Sequence, residues 1–273
     1  MNFNYLQNIL FLLFSIFLVS CGSDDSEPAN LSDSKIITGF SVAGKDATIN
    51  TANKTILLTL IDSDFTTLVP TITLSEKATV SPASGISQDF TNPVIYTVTA
   101  EDGTTAEYQV TISNGIVSFT HNGKNYEIVK DNQNWVDAAA FAVSRGGFLA
   151  EINDINEQNA VFDKLKTTIV ASNTVAPDGG GASYVWIGGN DMDTEGKWMW
   201  DGNNDQVGNQ FWSGTQSGTS VDNRFNNWGN EPDDFGSGQD ALGLAITDWP
   251  LGVAGQWNDV RDNNKLYFLI EFN

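Results

Sequence analysis

From Ile36 to Ile112 apolar and polar residues alternate in short runs. Ile36–Val42, Thr55–Leu60, Pro70–Leu74, Val94–Ala100 and Ala106–Ile112 are rich in Thr, Val and Ile. In the last two runs Tyr96, Val98 and Ala100, then Tyr108, Val110 and Ile112, are separated by polar residues. A period of two places such side chains on one face of a strand. Asp102-Gly103 lies between these runs and supplies the positive φ values of a tight hairpin. The pattern predicts a small all-β sandwich over residues 35–113.

Beyond residue 116 the period changes. Asn122-Gly123 predicts a hairpin joining Val117–Thr120 to Tyr126–Val129. Trp135, Ala138, Ala139 and Ala142 then recur at helical spacing, with Asn134 as the N-cap, Asp137 at the third position and Gly146-Gly147 as the stop. Asp154 and Glu157 form a capping box for a second helix that turns Ala160, Val161 and Leu165 inward. Short strands follow at Tyr184–Gly188, Lys197–Trp200, Ala241–Ile246, Gly255–Asn258 and Leu266–Phe272, separated by long polar loops. Two early helices and irregular β structure predict an α+β domain over 116–273.

The candidate chemistry is concentrated in Asn226–Asp259. Glu231, Asp233, Asp234, Gln239, Asp240, Asn258 and Asp259 each offer an oxygen there, and Pro232, Gly229, Gly236 and Gly238 let the backbone curl. A hard cation such as Ca²⁺ takes six to eight oxygens from flexible backbone of this kind. The same composition also makes plain solvated turns, and spacing alone does not separate the two readings.

Charge narrows the partners. With 34 acidic and 13 basic residues the formal charge is −21, which disfavours nucleic acid and anionic lipid and leaves cations and neutral polar ligands. The only histidine, His121, sits beside the early turn and reads as an exposed loop residue, and no marked acid pair or nucleophile accompanies it, so no enzyme is expected. Seven of the eight tryptophans lie beyond residue 180, an aromatic core for the C-terminal part. Trp186, Trp228 and Trp257 read as core; Trp198, Trp200, Trp212 and Trp249 are open between core and stacking on sugar rings.

Residues 1–20 carry no charge, and Ile9–Val19 is apolar save for Ser15. Eleven residues are too few to span a bilayer but suit the apolar region of a signal peptide. The run ends Leu-Val-Ser-Cys21, which resembles a bacterial lipobox and implies lipidation of Cys21, the only cysteine. The acidic stretch 21–34 reads as a flexible linker, and Ser23-Asp24-Asp25 resembles signals that send some lipoproteins to the outer face of the outer membrane.

Two further resemblances rest on longer stretches. YTVTAEDGTTAEYQVTI is similar to the last hairpin of immunoglobulin-like modules of bacterial surface lipoproteins, which implies a spacer over 35–113. The series Trp135…Ala138…Ala142, GGFLAEI, Glu157, Trp186-Ile187-Gly188-Gly189, Glu195-Gly196-Lys197-Trp198, Asn227-Trp228, Glu231-Pro232-Asp233 and Trp257-Asn258-Asp259 resembles the C-type lectin domain over 116–273. Ala142, Ala241 and Ile270 stand where that family has cysteines, so the implied fold is C-type lectin-like without disulfides, with Asn203–Asn223 as an inserted loop. The resemblance implies a principal calcium site from Glu231, Asp233, Gln239, Asn258 and Asp259, where sugar hydroxyls also bind, and a second from Asp191, Glu195, Asp234 and Asp240. Glu-Pro-Asp is neither the mannose-type nor the galactose-type triplet, and Gln239 stands where an acid is usual. The implied function is a calcium-dependent, carbohydrate-binding surface lipoprotein whose partner is a glycan or glycoprotein. The alternative is a lectin-like adhesin that binds protein, calcium only ordering its loops.

Overall fold

A computed structural model describes residues 30–236 and 238–273. The expected signal peptide, Cys21 and most of the acidic linker lie outside them. Among the described residues no helix is long and apolar enough to cross a membrane.

The N-terminal region is all-β. Its strands are β1 (Ile37–Val42), β2 (Lys45–Asp46), β3 (Thr48–Asn50), β4 (Thr55–Leu60), β5 (Pro70–Leu74), β6 (Thr79–Ser81), β7 (Val94–Thr99) and β8 (Thr105–Asn114). They form a three-stranded sheet in the order β2-β1-β5 and a five-stranded sheet in the order β3-β4-β8-β7-β6. Alternation settles the inside: Tyr96, Val98, Tyr108 and Val110 are buried with Ile37, Phe40, Ile56 and Phe90. Phe40 meets Tyr96 edge-on at 5.7 Å between ring centres, an aromatic packing that adds to simple burial. β4 runs parallel to β8, with Leu58 opposite Ile112.

Only Gly115 separates β8 from the next strand. A side chain there would overlap Thr59 and Ile61 of the N-terminal region. The C-terminal elements are β9 (Ile116–His121), β10 (Lys124–Gln133), α1 (Trp135–Ser144), β11 (Phe148–Leu149), α2 (Ile155–Thr168), β12 (Tyr184–Asn190), β13 (Lys197–Trp200), β14 (Asn209–Ser213), β15 (Thr219–Ser220), β16 (Ala241–Ala245), β17 (Trp257–Val260) and β18 (Leu266–Phe272). Ten strands make one sheet whose main order is β15-β14-β13-β12-β18-β10-β9, with β16 and β17 branching from β12. Asn122 and Gly123 both have positive φ and close the β9–β10 hairpin. His121 ends β9, where pairing with Lys124 leaves it half-buried instead of exposed in a loop.

The first helix follows its pattern: Asn134 accepts the Asp137 N–H at 2.7 Å, and Trp135, Ala138, Ala139 and Ala142 are its buried residues. The second departs from a reciprocal box. Asp154 caps the Asn156 and Glu157 N–H groups, but Glu157 reaches back to the Asn153 N–H at 2.7 Å. The other Glu157 oxygen accepts from Lys124 at 2.8 Å and from the Tyr126 hydroxyl. Ala160 is only half-buried; Val161 and Leu165 carry the inward face with Glu157 and Gln158. The segment expected as an inserted loop adds two strands, β14 and β15, to the sheet edge beside β13.

Tryptophan packing fixes the end of the sheet that bears the acidic residues. Of the two roles left open for them, Trp198 and Trp200 take the core: period two in β13 turns both inward, where Trp200 meets Trp257 edge-on at 5.5 Å. The Trp257 indole donates to Gln158 at 2.7 Å, and Gln158 in turn donates to the Gly255 carbonyl at 2.7 Å. These bonds pin Trp257, and with it Asn258 and Asp259 of the same strand, to α2.

Candidate functional site

Two groups of carboxylates form where β12, β16 and β17 end. In the first, Glu231, Asp233 and Asp259 bring oxygens within 4.8 Å of one another. Asp259 comes from β17, paired with Leu242 of β16, and is fully buried. It accepts the Asp233 N–H at 3.1 Å and the Asp234 N–H at 2.8 Å, so β17 holds the loop that carries the other two acids. Backbone bonds from Gly229 to Trp257 and from Asn230 to Leu251 clip that loop from behind. The Glu231–Pro232 peptide is cis, and Glu231 Oε1 accepts the Trp249 indole N–H at 3.0 Å.

In the second group, Asp191, Glu195 and Asp240 meet the same distance limit. Strand pairing explains it. Asn190 at the end of β12 lies opposite Ala241 at the start of β16, so the flanking Asp191 and Asp240 must adjoin, and the Asp191 N–H donates to the Asp240 carbonyl at 3.1 Å. Asp191 Oδ2 accepts the Gly196 N–H at 2.8 Å, which curls the turn that presents Glu195. Asp234 is not a member of this triad. One of its oxygens accepts from the Gly238 and Gln239 N–H groups at 2.6 and 3.2 Å, although its charge is felt by all three acids.

Burial and mutual repulsion penalise these charges. Burial first, then neighbouring acids, push Asp259 up to about 8 and Glu231 and Asp191 up to about 7; Glu195 and Asp240 shift upward for the same reasons. One oxygen of Glu231, Oε2, and one of Asp191, Oδ1, are buried without any hydrogen-bond partner. A buried anionic oxygen left unpaired is costly, and each triad contains one. Both donor sets are all-oxygen, as a hard divalent cation requires.

Glu231, Asp233, Gln239 and Asn258 line one cavity of about 210 Å³; Asp259, fully buried, is not part of its lining. The two amides are turned into the protein: Asn258 Nδ2 donates to the Tyr184 hydroxyl at 2.9 Å, and Gln239 Nε2 to the Asp178 carbonyl at 3.2 Å. Gln239 Oε1 accepts the Phe235 N–H at 2.6 Å. Of the tryptophans left open, Trp249 walls this cavity, while Trp212 is half-buried against the core with its N–H on the Thr215 carbonyl.

Five residues that line this cavity, Asp178, Gly180, Phe235, Pro250 and Leu251, were not read from the sequence. Asp178 accepts from Arg261 N–H at 2.8 Å and Asn264 Nδ2 at 2.5 Å and so ties three loops together. Its Pro-Asp-Gly-Gly-Gly surroundings signal only a turn. Phe235, 68% exposed, and Leu251, 37% exposed, stand at the rim. A large apolar residue inside an acidic Gly-rich loop was the available signal for Phe235.

A family model described as Lectin C-type domain matches residues 131–272, just over half of the chain. The chain belongs to the C-type lectin domain family. The C-type lectin region is preceded by a match of residues 36–112 to a model described as SGBP, N-terminal. C-type lectin domains are typically non-enzymatic binding proteins, and neither matched model indicates an enzyme family. The chain is 31% identical over 83 residues to the galactose-specific lectin nattectin of Thalassophryne nattereri, a match over 30% of this chain and 46% of that protein, so it spans just under half of that relative. Among solved structures, human lithostathine is 21% identical, covering 57% of this chain and 96% of its own, with a TM-score of 0.40. The cow CD23 carbohydrate-recognition domain, in the presence of a GlcNAc2Man3 oligosaccharide, is 21% identical over 57% of this chain and 92% of its own, with a TM-score of 0.38.

Proposed function

We propose that this protein is a calcium-dependent carbohydrate-binding lipoprotein of the outer membrane surface. The observation that carries the reading is the Glu231–Asp233–Asp259 triad beside an open cavity, with Glu231 Oε2 buried and unpartnered. Glu231, Asp233 and Asp259 would hold one Ca²⁺, with Asn258 and Gln239 at its margin, and Asp191, Glu195 and Asp240 the other, with Asp234 between them. When bound, the first ion supplies coordination positions for sugar hydroxyls. Around it, this chain's residues do the rest: Asp259 fixes the loop, Trp249 orients Glu231, and the exposed Phe235 ring offers a face for the C–H side of a sugar. Galactose and its oligomers are the first ligands to test, because the curated relative is a galactose-specific lectin.

In this reading residues 35–113 are an immunoglobulin-like spacer, residues 116–273 the lectin unit, and residues 1–20 a signal peptide ahead of lipidated Cys21 and the 21–34 linker. Many copies on one membrane raise weak single-site binding through avidity. A glycan array with calcium and with chelator tests the sugar reading: chelator-sensitive signals support it, and a blank array in calcium refutes it. Loss of fatty-acid labelling in Cys21→Ser tests the anchor.

The second reading, a protein-binding adhesin in which calcium only orders the loops, is favoured by the two inward-turned amides. A sugar hydroxyl on the ion needs an amide donor beside it, and here Gln239 Nε2 is turned to Asp178 and Asn258 Nδ2 gives one of its two hydrogens to Tyr184. A blank array with a calcium-sensitive melting temperature is its signature.

A further inference from the structure

A larger cavity lies away from the carboxylate groups, where the two regions of the chain meet. This groove has a volume of about 680 Å³, within the usual range of ligand sites. One wall comes from the N-terminal sheets, with Leu57 and Thr59 of β4 and Lys45 of β2; the other carries Lys130, Asp131 and Asn132 of β10 and Tyr267 of β18.

The walls are held at a fixed spacing. Gly115 alone links β8 to β9, and its carbonyl accepts the Lys130 N–H at 2.7 Å. Lys45 Nζ bridges the groove to Asp131 at 2.6 Å. On the far side of the junction, Arg145 joins Asp62 of the N-terminal region to Glu127 of β10. A groove formed in advance loses little freedom when it binds.

Its chemistry is unlike that of the acidic loops. The charged residues lining it are Lys45, Lys130, Asp46 and Asp131, two of each sign, in a chain of net charge −21. That balance attracts neither a cation nor an anion. The remaining polar side chains of the lining are hydroxyls and amides, from Thr48, Thr59, Asn132, Ser172 and Asn173. Leu57 projects on the same wall 56% exposed, and the Tyr267 ring is half-buried opposite. Short neutral donors and acceptors next to one aromatic and one aliphatic surface suit a ligand with many hydroxyls and an apolar C–H face.

We propose that this interdomain groove is a second saccharide site, for a neutral oligosaccharide, that works without a divalent cation. The test is calorimetry on the full chain in excess EDTA, with maltohexaose, cellohexaose, mannohexaose and xylohexaose as probes. The chelator silences the calcium site, so the result is independent of the function proposed above. At least one probe binds, and Leu57→Asp and Tyr267→Ala each weaken it by about tenfold or more, the loss expected when one apolar contact is withdrawn. Leu57 is a surface residue, so Leu57→Asp keeps the wild-type melting transition and tests the wall even where Tyr267→Ala loosens the core. Absence of binding by all four probes in EDTA overturns the proposal, as does binding that Leu57→Asp leaves intact.

Discussion

The replacement Glu231→Gln separates a cation-holding carboxylate from an acid that is merely buried. Glutamine keeps the shape and keeps an oxygen for the Trp249 indole, which donates to Glu231 Oε1 at 3.0 Å. It removes the charge at Oε2, the oxygen with no partner. If no ion belongs there, the carboxyl that burial pushes up to about 7 is a liability, and the neutral amide is as stable as wild type or more so in any buffer. If an ion belongs there, the sign depends on calcium. At a hundredfold excess over its dissociation constant, one bound ion adds ~2.7 kcal/mol of stability. For a unit of 150–250 residues that is a rise of roughly 5–11 °C in melting temperature.

With an ion in each of the two proposed sites, wild type gains about twice the single-site stabilisation in calcium. Glu231→Gln gains only the share of the Asp191 group, and in chelator it matches or exceeds wild type. All eight tryptophans lie at or beyond residue 135, so a fluorescence melt reports the lectin region without the N-terminal transition. Equal calcium-induced shifts in wild type and Glu231→Gln refute the reasoning.

Asp191→Asn and Glu195→Gln act on the other group, and each reduces calorimetric calcium binding from two events to one while leaving the Glu231 event in place. Burial, then the charge of Glu271, pushes Glu151 up to about 7 from an ordinary value of 4.5. The folded state therefore favours its protonated form: the stabilisation is full below pH 4.5 and fades as pH rises toward 7, and Glu151→Gln flattens that part of a urea-midpoint profile, whereas parallel profiles count against the assignment. Lys124 bridges buried Glu157 at 2.8 Å and Glu271 at 2.6 Å, so Lys124→Met strands two carboxylates. Because the lysine side chain is 38% exposed, the loss in urea unfolding is ~1–3 kcal/mol, below that for a fully buried pair.

Periodicity made most of the fold legible. The caps at Asn134 and Asp154, the Asn122-Gly123 turn and the strands from Tyr96 to Ile112 are local signals, and local bonds made them. Apart from the five-residue β14, the strands that were missed, such as β2, β3 and β15, are two or three residues long and exist only because a partner lies alongside. Alternation in Lys197–Trp200 already pointed Trp198 and Trp200 the same way, and the structure makes that the inside. Among candidate site residues, adjacency of Asp191 and Asp240 follows from strand register, which no spacing in the chain reveals. Asp178 was invisible because its partners Gln239, Arg261 and Asn264 lie 61 to 86 residues away.

The choice between sugar binding and loop ordering turns on two amides. Asp259 holds the Asp233 and Asp234 N–H groups, Asp234 holds those of Gly238 and Gln239, and Gln239 holds that of Phe235. The acidic loop is thus a single bonded unit, and its carboxylates need no sugar to keep their positions. Gln239 Nε2 reaches both the Asp178 carbonyl at 3.2 Å and Asp178 Oδ2 at 3.5 Å, whereas Asn258 Nδ2 gives one bond, to Tyr184, and an amide nitrogen carries two hydrogens, so Asn258 keeps one for a ligand. Tyr184→Phe removes the acceptor of the Asn258 bond without touching a carboxylate. If Asn258 is a donor to sugar, freeing it strengthens or preserves chelator-sensitive glycan binding while calcium affinity stays unchanged. If calcium serves only to order the loop, the same variant leaves the glycan signal absent and shifts nothing but the melting temperature.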